Sequence, residues 1–359
     1  MEGKKIRVGI THGDVSGIGY EVILKTFAYP MMCEMCIPIL YGSPKAATYH
    51  RKMLNLTTNF AMINQASDAQ EGRLNMISVY DEEVKIDFGT PNPECGKVAM
   101  LSLERAIKDY KEGNIDVLVT APINKASMQS SNFNFVGHTE YLEHEVGEGN
   151  EALMILMSPM MKVALVTTHL PIKEVSANLT QAKIEKKIDI FNTSLKSDFT
   201  ISIPRIAVLS LNPHCGDDGL IGSEEKDIIK PAIDSMRKRG VQCFGPYPAD
   251  GFFGAGMYSS FDGILAMYHD QGLTAFKTLS ADDGVNFTAG LPIVRTSPDH
   301  GVAYDIAGKG EANENSFRQA IYVALDVWRN RQIDKEAYAN PLKIIPRDKG
   351  RKDGREQIE

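Results

Sequence analysis

Six short apolar runs, each almost unbroken and each closing on polar residues, constrain this chain more than any other feature. They are 5–10, 37–41, 115–119, 163–166, 206–209 and 263–267, and four of them lead into Thr120, Thr167, Ser210 and His269. A run that is apolar throughout, and not at alternate positions, suits a strand covered on both faces, which means a mainly parallel sheet flanked by helices. The intervening segments agree. Residues 17–27 read as a helix after a glycine turn, and Pro44–Leu54 as another with Ser43 at its N-cap. The fold class expected is α/β, and in such sheets ligands collect beyond the carboxyl ends of the strands.

Composition narrows the function. A length of 359 residues suggests two domains, and 43 % hydrophobic with 24 % charged residues is ordinary globular usage. The net charge of −7 argues against a nucleic-acid binder but not against a small-anion site. No run approaches a membrane span, and the first residues lack the apolar core of a secretory signal. Five cysteines (33, 36, 95, 215 and 243) are too few for a disulfide framework, so a reducing cytoplasm is expected. Cys33 and Cys36 have redox or zinc spacing but no second pair, and read as small buried residues before a strand. The charged stretch 347–356 reads as a solvated tail.

Three of the eight histidines follow strand-like runs: His169, His214 and His269, separated by 45 and 55 residues. They either converge on one divalent ion or merely cap strands and turns, and spacing alone does not choose. Asp270 stands ready to orient His269. A second group has a taste for anions. Gly137-His138-Thr139-Glu140 opens a helix, and Lys277, Asn286 and Arg295 add two cations and an amide. The bland alternative is that Lys277 and Arg295 are solvated surface charges. A glycine-rich turn at 11–21 matches neither a Rossmann nor a P-loop pattern, and a second glycine-studded loop runs over 300–313.

Together Thr120-Ala121-Pro122-Ile123-Asn124-Lys125, Gly137-His138-Thr139-Glu140, Leu211-Asn212-Pro213-His214, Tyr268-His269-Asp270-Gln271-Gly272 and Asp305-Ile306-Ala307-Gly308 resemble the 4-hydroxythreonine-4-phosphate dehydrogenase family of vitamin B6 biosynthesis. The similarity runs from about Val8 to Val327, and the glycine turn and the Asp305 loop are also similar to isocitrate and isopropylmalate dehydrogenases. The resemblance implies two α/β/α domains with a cleft between them. Residues 1–128 plus 262–359 are expected to form one, and 129–261 the other, with metal ligands and dimer contacts. It implies that His169, His214 and His269 bind a divalent metal (zinc, cobalt or magnesium) in a site shared across a homodimer. His138, Thr139, Lys277, Asn286 and Arg295 would bind the phosphorylated substrate. NAD or NADP would occupy a site including Gly290, Leu291, His300, Asp305 and Asn313, and Lys277 and Asp270 would handle protons.

The first turn departs from the family. His12, Val15, Ser16 and Tyr20 stand where Pro, Pro, Ala and Pro are common. Two other readings stay open: a paralogous dehydrogenase of 4-phospho-D-threonate or 4-phospho-D-erythronate, and a non-catalytic protein that binds small anions or metal.

Overall fold

A computed structural model describes residues 5–129, 135, 137–280 and 282–340; the charged stretch 347–356 lies outside them. Its strands are β1 (Arg7–Thr11), β2 (Ile37–Gly42), β3 (Phe60–Ile63), β4 (Leu74–Ser78), β5 (Val117–Thr120) and β6 (Leu153–Met157). They continue as β7 (Lys162–Leu165), β8 (Arg205–Leu209), β9 (Gln242–Tyr247), β10 (Gly263–Ala266), β11 (Val285–Ala289) and β12 (Arg295–Pro298). All twelve join one sheet in the order β3-β4-β2-β1-β5-β12-β11-β6-β7-β10-β8-β9.

The apolar runs became parallel strands as expected: β3, β4, β2, β1 and β5 form one parallel block, and β7, β10, β8 and β9 another. Between them lies a junction that the continuous apolar runs did not announce. β12 runs parallel to β5 but antiparallel to β11, β11 is antiparallel to β6, and β6 to β7. The two blocks therefore meet at a reversal of strand direction. Strand β10, from the late segment 262–359, lies between β7 and β8 of the middle segment.

Local chemistry explains the elements. Ser43 Oγ accepts from Ala46 N at 3.4 Å, with Pro44 in the first turn, and the helix Pro44–Met53 follows. The long helix Asn315–Tyr338 packs on β5, β11 and β12, its buried stripe including Phe317, Ile321 and Leu325. Cys33 and Cys36 are both buried, and burial pushes the Cys36 thiol up to about 12, which suits packing and not redox chemistry.

The atypical first turn is self-consistent. His12 and Tyr20 stack on each other with ring centroids 5.1 Å apart and 9° between planes, and Tyr20 OH accepts from Ser43 N at 3.0 Å. Two departures from the family pattern thus fill one space together. Gly13 must remain glycine: its φ is +68° and a Cβ would stand 2.2 Å from the Pro122 carbonyl.

Candidate active site

The junction between the blocks holds a cavity of about 220 Å³. It draws lining from the segment after β5, from Asn286 on β11, Met154 on β6, Arg295 on β12 and His169 beyond β7. A site at a reversal of strand direction collects loops from both blocks, the logic of the switch point in open α/β sheets.

Arg295 is its fixed cation. Although only 3 % exposed, it touches no carboxylate; its Nε and Nη2 donate to Thr120 Oγ1 (3.1 and 2.7 Å) and its Nη1 to Thr288 Oγ1 (3.2 Å). Nη2 also lies 3.0 Å from His138 Nδ1. A guanidinium only donates, so Nδ1 accepts and the His138 proton sits on Nε2. Burial first, then the charges of Arg295 and Lys125, hold His138 well below the usual imidazole range. It is a neutral ring with one N–H to give. Burial pulls Arg295 down to about 10, so it stays charged at neutral pH. The Asn286 Oδ1 is buried without a partner beside the same cavity, and Thr139 completes the wall. A buried cation with no carboxylate in contact, hydrogen-bonded only to neutral groups, is a receptor for a small anion.

His169 carries the site toward metal chemistry. The Lys125 ammonium lies 3.0 Å from its Nε2, and Glu140 Oε1 lies 3.5 Å from its Nδ1. An ammonium only donates, so the Nε2 lone pair faces positive charge while a carboxylate backs the other nitrogen. His269 repeats the arrangement, its Nδ1 2.7 Å from Asp270 Oδ1. The two rings stand 6.1 Å apart between centroids. Thr167 Oγ1 donates to the Met267 carbonyl at 2.7 Å; Gln271 accepts from Met267 N and donates to the Ser210 carbonyl. These bonds stitch the exits of β7, β10 and β8 side by side.

His214 follows β8 in an exposed left-handed turn, with φ between +45° and +78° from His214 to Asp218. Glu225 anchors its base by accepting from Leu211 N and Asn212 N at 2.8 and 2.7 Å. Among the described residues, no group of three or more His, Cys, Asp or Glu side chains gathers as a ligand set within one chain. The donor chemistry of His169 and His269 fits a divalent ion, and the fold brings these two rings together.

The remaining expected residues divide. Lys277 donates to the Asp299 carbonyl at 2.9 Å, and Asp299 lines the cavity. His300 lines it too; its Nδ1 lies 3.0 Å from the Gly301 carbonyl and its buried Nε2 has no partner. Asp305 and Asn313 are exposed on the loop that follows. Gly290 and Leu291 lie elsewhere, in a surface hollow shared with Asp198 and Arg331. Gly290, at φ +83°, has the Glu151 carbonyl where a Cβ would be. Thr120, Lys125, Glu140 and Gln271 were not singled out from sequence, yet each lies inside one of the quoted motifs.

Fold and site together define an α/β protein with a buried anion receptor beside carboxylate-backed imidazoles, at the meeting of two strand blocks. The sequence model of the family described as pyridoxal phosphate biosynthetic protein PdxA matches residues 34–324. A 4-hydroxythreonine-4-phosphate dehydrogenase of Bacteroides thetaiotaomicron is 61 % identical over 96 % of this chain and 94 % of its own length. Another, from Sulfurihydrogenibium, is 41 % identical over 91 % of this chain and all of its own. The crystal structure of the Klebsiella pneumoniae 4-hydroxythreonine-4-phosphate dehydrogenase superposes with a TM-score of 0.77 at 32 % identity, covering 90 % of this chain and 98 % of that one. The chain belongs to the PdxA family of pyridoxal phosphate biosynthetic proteins.

Proposed function

We propose that this protein oxidises 4-phosphooxy-L-threonine at C3 with NAD or NADP and a divalent metal. The product, 2-amino-3-oxo-4-(phosphooxy)butanoate, decarboxylates to 3-amino-2-oxopropyl phosphate in pyridoxal 5′-phosphate biosynthesis. The observation that carries this reading is the buried Arg295–His138 pair opening onto a cavity that also holds His169.

In this reading Arg295 and the Nε2–H of His138 grip the phosphate dianion, with Thr139, Asn286 and Lys277 as further contacts. Arg295, His138 and His169 line one small cavity, which supports a pose with the phosphate at the first two and C3 toward the third. His169 and His269, with His214 from a second copy of the chain, would hold the metal. The chemistry supplied there, when metal and dinucleotide are bound, is Lewis-acid activation of the C3 hydroxyl and acceptance of hydride. Glu140 and Asp270 fix ring orientation and tautomer at His169 and His269. Lys277, anchored on Asp299, holds a proton for the carbon that loses carbon dioxide, and Asp270 is the second proton-handling candidate. His300 sits where the late glycine loop meets the cavity, which supports Asp305 and Asn313 as dinucleotide contacts; Gly290 and Leu291 belong to the same proposed set but lie outside the cavity wall. The two-domain division and a cytoplasmic homodimer complete the reading.

A second substrate reading has its own support: a relative from Oceanobacillus iheyensis, 37 % identical over 90 % of this chain, carries the name of a D-threonate 4-phosphate dehydrogenase. The phosphate grip serves either substrate. Following NADH or NADPH formation from 4-phosphooxy-L-threonine tests the main reading. Activity should vanish with a chelator and return with zinc, cobalt or magnesium; full activity in chelator would refute the metal.

A further inference from the structure

We propose that the Glu21–Lys25 ion pair and the Asp14–Tyr304 hydrogen bond are positioning devices for the dinucleotide, clamping the loop 302–312 in its binding shape before the cofactor arrives. The proposal rests on the reading that this loop takes the dinucleotide.

The loop has no helix or strand of its own, and two of its residues, Gly308 and Gly310, have φ of +76° and +77°. Such a segment needs outside contacts to keep one conformation. It has several: Phe88 and Gly89 stand against Gly308 and Tyr304, and Asn124 bonds the Tyr304 side chain, while three further points are supplied by the first turn and the helix Gly19–Thr26. Ile18 N donates to the Val302 carbonyl at 3.1 Å, and a Cβ on Gly17 would strike the Val302 side chain at 2.6 Å. Tyr304 OH donates to Asp14 Oδ2 at 2.7 Å, while Asp14 Oδ1 accepts from Ser16 N at 2.8 Å. At the far end, Lys25 Nζ donates to Glu21 Oε1 (2.8 Å) and to the carbonyls of Gly310 (2.9 Å) and Ala312 (2.7 Å). Glu21 Oε1 also accepts from Ala312 N at 2.9 Å. All three ammonium protons are thereby used.

Stability alone does not explain this pair. Glu21 is 1 % exposed and its Oε2 is buried without a partner, so the carboxylate carries a desolvation cost that an apolar side chain would avoid. What the pair does accomplish is fixing the backbone from Gly310 to Ala312. Pre-ordering a loop tightens binding by removing the entropy otherwise lost on association. None of these four side chains lines the substrate cavity, so their effect should fall on the dinucleotide.

The test is a fluorescence titration of NADH and NADPH into the full-length protein, with steady-state kinetics alongside. Tyr304→Phe, which loses one buried hydrogen bond, should raise the dissociation constant for the preferred dinucleotide about tenfold, and Lys25→Met, which loses three, by at least as much. The KM for 4-phosphooxy-L-threonine and kcat at saturating dinucleotide should stay within about twofold, and Lys25→Arg should recover most of the affinity. If Lys25→Met does not fold, Tyr304→Phe decides, since it removes one oxygen from a half-buried ring. Asp305→Ala, outside the clamp, separates the two levels. Weaker dinucleotide binding in Asp305→Ala with unchanged binding in the clamp variants overturns the clamp alone. Unchanged binding in all of them overturns the assignment of the loop to the dinucleotide.

Discussion

Replacing Arg295 by methionine separates what the site does for binding from what it does for stability. The guanidinium is buried, touches no carboxylate, and is pulled down from its ordinary range to about 10, chiefly by burial. At 1.36 kcal/mol per pH unit, its charge costs the fold about 3 kcal/mol. Removing it relieves that cost but leaves His138 Nδ1 and the hydroxyls of Thr120 and Thr288 without their donor, at about 1–3 kcal/mol for each buried group left unpaired. The relieved charge and the freedom of the two hydroxyls to rotate to other partners offset part of this, so thermal unfolding should move by only a few degrees. Binding has no such compensation. Removing one partner of a buried charge pair with a phosphate costs about 2–5 kcal/mol, which lowers kcat/KM about 30- to 5,000-fold. The assay is initial-rate dinucleotide reduction over a range of 4-phosphooxy-L-threonine, with thermal unfolding on the same preparation. A variant within about threefold of the parent in kcat/KM would refute Arg295 as the anion anchor. A variant that fails to fold would refute the claim that its charge is a cost borne for binding.

Other consequences are open to direct measurement. Thr120→Val removes the acceptor of two Arg295 bonds without touching the ligand, and should raise the substrate KM about tenfold with kcat nearly unchanged, as read by the same assay. Asp270→Asn should weaken metal affinity about 10- to 100-fold, measured by chelator competition. The buried His12 and His50 are held down at about 3 and about 4 by desolvation. Below pH 6.5 the unfolded chain takes up protons at these rings that the folded state refuses, so stability falls as the pH drops, by up to about 1.4 kcal/mol per pH unit for each ring until its folded value is reached. His12→Phe should therefore flatten the loss of stability between pH 6.5 and 3 in denaturant titrations; an unchanged slope would refute the assignment.

Much of this arrangement was legible in residue order because the relevant signals are local. Continuous apolar runs identify parallel strands, and Ser43-Pro44 announces a helix start. His169, His214 and His269 each follow such a run, and the fold places their strands β7, β8 and β10 next to one another. The antiparallel junction was not legible, because the pairing of β11 with β6 and β12 is set by residues more than a hundred positions apart on one side. The roles of Thr120, Lys125 and Glu140 were hidden for the same reason: each acts through a partner from a distant segment, Arg295 or His169. The His12–Tyr20 stack explains the atypical first turn only once both rings are seen in one space.

The central claim is that a phosphate held by Arg295 and His138 presents C3 of 4-phosphooxy-L-threonine for metal-assisted oxidation. The most direct test compares kcat/KM, with metal present, for 4-phosphooxy-L-threonine, 4-phospho-D-threonate and unphosphorylated 4-hydroxy-L-threonine. The account predicts the highest value for the first and a loss of at least about a hundredfold without the phosphate. A preference for 4-phospho-D-threonate would contradict the substrate, and equal turnover of the unphosphorylated compound would contradict the role given to the Arg295–His138 pair.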